Sequence, residues 1–228
     1  MDLRKISEAE RTPDVCCAAV IAKPFLIKYV PDAHKTAEFW HRAVKGNPFM
    51  IEHVPIEHRS GTMCVDVVSN IPSLLEYVPE TLRTPEFWKQ VVTAHPHIIK
   101  QVPEPMRTPE MCIDAISKEP SLADFIPEAV RTSKFWTVVI IVAPFLIEYV
   151  PETMRTPMFW ERVTRDHPSL IRHVPEAQRT QDMFDRAMAL NPFFIVFMPR
   201  ALRSNTSYRD LIKRYPVLEE FVAHCATA

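Results

Sequence analysis

The chain has 228 residues, 24% of them charged and 47% hydrophobic, and its 27 Lys and Arg nearly balance its 28 Asp and Glu, for a formal net charge of −1. That balance argues against a generic nucleic-acid or anionic-membrane binder, because nothing attracts polyanions at long range. Only 2 Gly stand against 22 Pro; phosphate-cradling loops need Gly, as do the turns of sandwiches and barrels, so Rossmann, P-loop and all-β folds are disfavoured.

The first residues, Met1-Asp2-Leu3-Arg4-Lys5, lack the apolar core of a secretory signal. From Ser7 onward the prolines act as a ruler. Pro31, Pro55, Pro79, Pro103, Pro127, Pro151, Pro175 and Pro199 are each 24 residues apart, and a second series runs from Pro24 to Pro216 with the same spacing. A Thr or Ser recurs with them from Thr12 to Ser204, each preceded by a base, from Arg11 to Arg203. These series predict nine copies: 7–30, 31–54, 55–78, 79–102, 103–126, 127–150, 151–174, 175–198 and 199–222. The unit reads P-E-x-x-R-T-P-x-F-W-x-x-V-V-x-x-x-P-x-L-I-x-x-V.

Within a copy each residue type has a physical role. Thr84 is placed to cap a helix, and Pro85 occupies its first position, where a missing N–H costs nothing. Phe87, Trp88, Val91 and Val92 then form one apolar stripe. Pro96 stops that helix at about ten residues and starts a shorter one carrying Ile98, Ile99 and Val102 inward. Pro103 opens a single turn, Pro103 to Arg107, of 3₁₀ character. Such a unit cannot bury its apolar faces alone, whereas stacked copies can. The expected fold is therefore an all-α solenoid running through the whole chain.

A further alternation runs along the first six copies. Four residues after the Thr stand Cys16, Trp40, Cys64, Trp88, Cys112 and Trp136. Large beside small suits interdigitating copies, so these cysteines are predicted to be core residues rather than nucleophiles. Five cysteines without a C-x-x-C pair, Cys17 and Cys225 included, suggest free thiols in a reducing, cytoplasmic setting. The most apolar stretch, Phe135 to Ile147, is too short for a bilayer and is broken by Pro144. At the ends, Ser7 replaces the opening Pro and Ala223 stands where a tenth Pro would fall. The array is therefore expected to stop inside this chain.

The run Val102-Pro103-Glu104-Pro105-Met106-Arg107-Thr108-Pro109-Glu110-Met111-Cys112, with Val78-Pro79-Glu80-Thr81-Leu82-Arg83-Thr84-Pro85-Glu86, resembles a tandem-repeat family of bacterial effectors and giant viruses. That family has P-E-x-L-R-T type copies and no known function. The resemblance spans nearly the whole chain and departs where this sequence has Pro between the helices instead of Asn-Gly. In its 24-residue length the unit is also similar to the leucine-rich-repeat variant, a solenoid of alternating α and 3₁₀ helices. Neither resemblance implies catalytic residues. The first implies a context: secreted effectors of intracellular bacteria, and so a host cytosol.

Two surfaces stand out as candidates. The repeated bases, among them Arg59, Arg83, Arg107, Arg131, Arg155 and Arg179, could line up to grip a polyanion. Seven copies, however, place an acid in the same turn as the base: Glu8, Asp32, Glu80, Glu104, Glu128, Glu152 and Glu176. A structural ladder of acid–base pairs is the expectation, with nucleic acid a secondary reading. The nine His match no metal-ligand spacing, and no cofactor is expected; His53 and His173 share a slot with Tyr29, Tyr77, Phe125, Tyr149 and Phe197, an aromatic series read as core edge. The sixth copy breaks the pattern. Val138, Ile141 and Val142 stand where the fifth copy has Asp114, Ser117 and Lys118 and the seventh has Arg162, Arg165 and Asp166. In the eighth, Val196 replaces an otherwise charged residue beside Phe193 and Phe197. Apolar islands of this kind mark interfaces. The expected role is a non-enzymatic scaffold binding a protein partner or itself.

Overall fold

The structure is a computed structural model that describes residues 2–202 and 205–219, leaving aside the side chains of 202–209. The chain is an all-α solenoid, and no strand occurs among the described residues. Each copy contributes a ten-residue α-helix: α1 Pro13–Ala22, α2 Ala37–Gly46, α3 Gly61–Asn70, α4 Pro85–Ala94, α5 Pro109–Lys118, α6 Ser133–Val142, α7 Pro157–Asp166, α8 Gln181–Leu190 and α9 Asn205–Arg214. The chain separates into two compact units, Met1–Phe125 and Ile126–Ala228. Ser204, Arg203, Ala223 and Cys225, which carry the expectations about the last copy, lie outside the described residues or side chains.

The helix starts follow from local chemistry. The hydroxyls of Thr12, Thr36, Ser60, Thr84, Thr108, Thr132, Thr156 and Thr180 each accept from the N–H three residues on, at 3.2–3.4 Å. Each bond satisfies one of the four N–H groups that a helix start leaves open. The helix ends come from the second proline series. The residue before each is extended, as at His95 (φ −135°, ψ 91°), because the following ring disfavours the helical region. No described residue has positive φ. The chain therefore needs few glycines: proline and 3₁₀ turns make its corners without left-handed backbone. Gly46 has a different reason, since a Cβ there would lie 2.5 Å from the Ile21 Cδ1 of the preceding copy.

The second helix of each of the first eight copies is a six-residue 3₁₀ helix, Pro96–Gln101 in the fourth copy. With about 2.0 Å of rise per residue, six residues reach about 12 Å, close to the roughly 15 Å of the ten-residue α-helix it packs on. Six α-helical residues would fall well short. The one-turn segments are also 3₁₀, as at Glu104–Met106.

Packing repeats with the sequence. Phe87, Trp88, Val91 and Val92 of α4, and Ile98, Ile99 and Val102 after it, are all buried. Each Phe–Trp pair is edge-to-face at 5.2–5.3 Å, a geometry that the ring quadrupoles favour. The indole N–H groups of Trp40, Trp88, Trp136 and Trp160 are buried without a hydrogen-bond partner. Burial of the large rings outweighs the penalty of about 1–3 kcal/mol for each such donor. At the amino end, Leu3 of the short 3₁₀ turn Leu3–Lys5 is wholly buried against the first copy. No helix among the described residues is long and apolar enough to cross a membrane.

Candidate interaction surfaces

The repeated arginine is placed by the one-turn segment, which delivers it just before the capping Thr. Two of the expected acid–base pairs are present, Asp32–Lys35 at 2.7 Å and Glu128–Arg131 at 3.8 Å. In the copies of Arg83, Arg107 and Arg155 the guanidinium turns to backbone carbonyls instead. Its Nε donates to the carbonyl five residues back: Arg59 to Val54 at 2.8 Å, Arg83 to Val78 at 3.0 Å, Arg107 to Val102 at 2.9 Å, Arg131 to Ile126 at 3.0 Å, Arg155 to Val150 at 2.9 Å and Arg179 to Val174 at 2.9 Å. Those carbonyls stand at the end of a 3₁₀ helix, and the fork of donors satisfies them. The acid-pairing expectation is corrected in this respect. Glu80, Glu104 and Glu152 are exposed to solvent, while the carbonyls lie within the partly buried reach of the arginine side chain.

A second set of bonds reaches the far end of the arginine's own copy. Nη1 of Arg107 donates to Phe125 O at 2.8 Å and that of Arg179 to Phe197 O at 3.0 Å. Arg59 reaches Tyr77 O in the same way, and Arg11 reaches Tyr29 O at 3.2 Å. The guanidiniums of Arg59, Arg107 and Arg179 thus tie the end of one copy's 3₁₀ helix to the end of the next. A matching ladder closes the α-helices, and sequence reasoning missed it. In three copies the residue before the second proline caps a carbonyl of the preceding α-helix: Asn47 Nδ2 to Ile21 O at 2.9 Å, His95 Nε2 with Ser69 O at 2.9 Å and His167 Nε2 with Ile141 O at 2.8 Å. Lys118 does the same for Thr93 O at 2.8 Å. The recurrence of polar residues at that one position was the available signal.

The apolar island of the sixth copy lies on α6, with Phe135, Trp136, Val139 and Ile140 turned to the core. Val138 is 38% and Val142 60% exposed. Ile141, expected on the same open face, is half-buried at its edge. Phe145, just beyond Pro144, is 61% exposed and extends the patch; the sequence reading passed over it as part of the repeat. In the eighth copy Phe193 is 47% and Val196 49% exposed, and Leu190 is exposed beside them. Phe197 is half-buried, with the Arg179 guanidinium over its ring at 5.5 Å. It therefore belongs to the core edge rather than to the open patch.

The candidate nucleophiles are inward-facing. Cys16, Cys17, Cys64 and Cys112 are free and buried. Burial pushes all four thiols up, Cys112 to about 11, which holds them protonated. No group of three or more His, Cys, Asp or Glu among the described residues could hold a metal ion. His53 and His173 are half-buried in the aromatic slot, beside Glu52 at 3.1 Å and Glu148 at 3.1 Å. Comparison with family models, with curated proteins and with solved structures finds no match.

Proposed function

We propose that the chain is a non-enzymatic interaction scaffold that binds a partner protein, or a second copy of itself, through the apolar patch on α6. The observation that carries this reading is the exposure of Val138, Val142 and Phe145, where the flanking copies place charged or small polar residues. Solvent-facing valines gain nothing for the fold, since they are weaker helix formers than Lys or Glu. A cluster of them rimmed by Lys134 and Glu148, both exposed, has the anatomy of an interface core within a polar rim. Phe193 and Val196 of the eighth copy form a second, smaller contact of the same kind. The carbonyl-directed guanidiniums favour this reading over polyanion binding, because donors spent on the backbone are not offered to phosphates. The P-E-x-L-R-T resemblance, to repeats found in effectors of intracellular bacteria, supports a cytosolic setting, and the free buried thiols suit a reducing one.

The test is the double change Val138→Glu plus Val142→Lys, which uses the two most open positions and spares half-buried Ile141. The circular-dichroism melt should stay within about 0.5 kcal/mol of wild type, as for surface changes elsewhere. Self-association in sedimentation, or capture of the partner, should be lost. A folded variant that associates like wild type would overturn the assignment of this patch.

A further inference from the structure

The slot that ends each second helix holds a ring in every described copy but one. It is Tyr29, His53, Tyr77, Phe125, Tyr149, His173 or Phe197, and in the fourth copy it is Gln101. In the fifth copy the ring is Phe, and Lys100 Nζ of the preceding copy lies 4.9 Å from the Phe125 centroid. In the seventh copy the ring carries a donor and meets an acid of the preceding copy: His173 Nδ1 lies 3.1 Å from Glu148. The fourth copy has such an acid before it, Glu76 of the third copy, but no ring. Gln101 is exposed, and an open cavity of about 540 Å³ lies there, lined by Pro72, Ser73, Leu75, Glu76, Arg83, His97 and Gln101.

The lining retains what a ring would need. Arg83 spends its Nε on Val78 O and one Nη on Leu75 O at 3.1 Å, both in the preceding copy, and its outer edge borders the cavity. The equivalent guanidinium of Arg179 lies over the Phe197 ring. In the seventh copy Arg155 likewise bonds the preceding copy, to Ile147 O at 3.3 Å, and there the slot residue is His173, which meets Glu148. The fourth copy is that arrangement with the imidazole left out.

We propose that this cavity receives, from a partner protein, a His or Tyr side chain whose N–H or O–H donates to Glu76 and whose ring lies against Arg83. A planar guanidinium on one side, a carboxylate acceptor at the end and Pro72 and Leu75 as apolar walls suit a ring with a polar tip. The inference rests on reading the chain as a protein-binding scaffold, but the ring site is measured without any partner.

The full-length protein, with its arginine side chains labelled for NMR, is titrated with 4-methylimidazole, with 4-methylphenol and with toluene. The first two should shift the Arg83 Nε–H signal saturably, with dissociation constants of the order of millimolar. Toluene, which has no donor, should bind about tenfold more weakly or worse, since it forgoes a hydrogen bond to a charged acceptor. Gln101→Tyr and Gln101→His should fill the slot in cis, raise the melting temperature and abolish the shift; using both guards against one failing to fold. Glu76→Gln should weaken the donor-bearing rings and leave toluene unchanged. Absence of saturable shifts, equal binding of all three rings, or binding that survives in a folded Gln101→Tyr protein would each overturn the proposal. Because the Val138→Glu, Val142→Lys variant leaves this cavity intact, ring binding that persists there while association is lost separates failure of one site from failure of the other.

Discussion

Replacing Arg107 by Met removes the guanidinium while keeping an apolar stem of similar reach, so the loss is confined to hydrogen bonds. Arg107 makes two short ones, to Val102 O at 2.9 Å and Phe125 O at 2.8 Å, and a long one to Lys100 O at 3.5 Å. A charge-assisted bond is worth about 1.5–3 kcal/mol when buried. Arg107 is only partly buried, and discounting for solvent brings each short bond to about 1–1.5 kcal/mol. The expected cost is therefore about 2–3 kcal/mol. For a unit of this size that lowers the melting temperature by about 10 °C, read by circular dichroism. The paired measurement is Glu104→Gln. If the ladder bonded acid to base, that change would cost as much as losing the arginine. With the guanidinium on carbonyls it should cost about 0.5 kcal/mol or less. An Arg107→Met protein that melts with wild type, or a Glu104→Gln protein that falls as far as Arg107→Met, would refute the reasoning.

Two further outcomes are expected. Cys64 is wholly buried in the copy between those of Trp40 and Trp88, so Cys64→Trp should overpack that layer and cost about 3 kcal/mol in a urea titration; an unchanged midpoint would show the slot has room. The Cys112 thiol, pushed from 9.0 to about 11 by burial, is raised in the folded state. The stability it contributes is complete below pH 9 and is lost as the pH climbs toward about 11. Denaturation followed across that window should show falling stability, and Cys112→Ala should flatten part of the fall; a Cys112→Ala profile identical to wild type would assign the alkaline loss to other groups.

How much of this was legible in the sequence depends on how local each cause is. Helix starts at Thr84 or Thr156, the stop before Pro96 and the burial of the Phe–Trp stripe follow from groups a few residues apart, and the 24-residue period multiplies each signal. The opening of Val138 and Val142 to solvent could likewise be read from helical spacing alone. What the tertiary structure decided are the bonds that join groups 18 or 26 residues apart. Arg107 had an obvious partner in Glu104, one turn away, yet it reaches Phe125 O because stacking brings that carbonyl closer in a partly buried place where an unsatisfied acceptor is costly. His95 and Asn47 became helix caps for the preceding copy for the same reason. Gln101 did not stand out in the sequence; only the packed neighbours show the open cavity beside it, because a cavity is a property of several chain segments at once and no single segment encodes it.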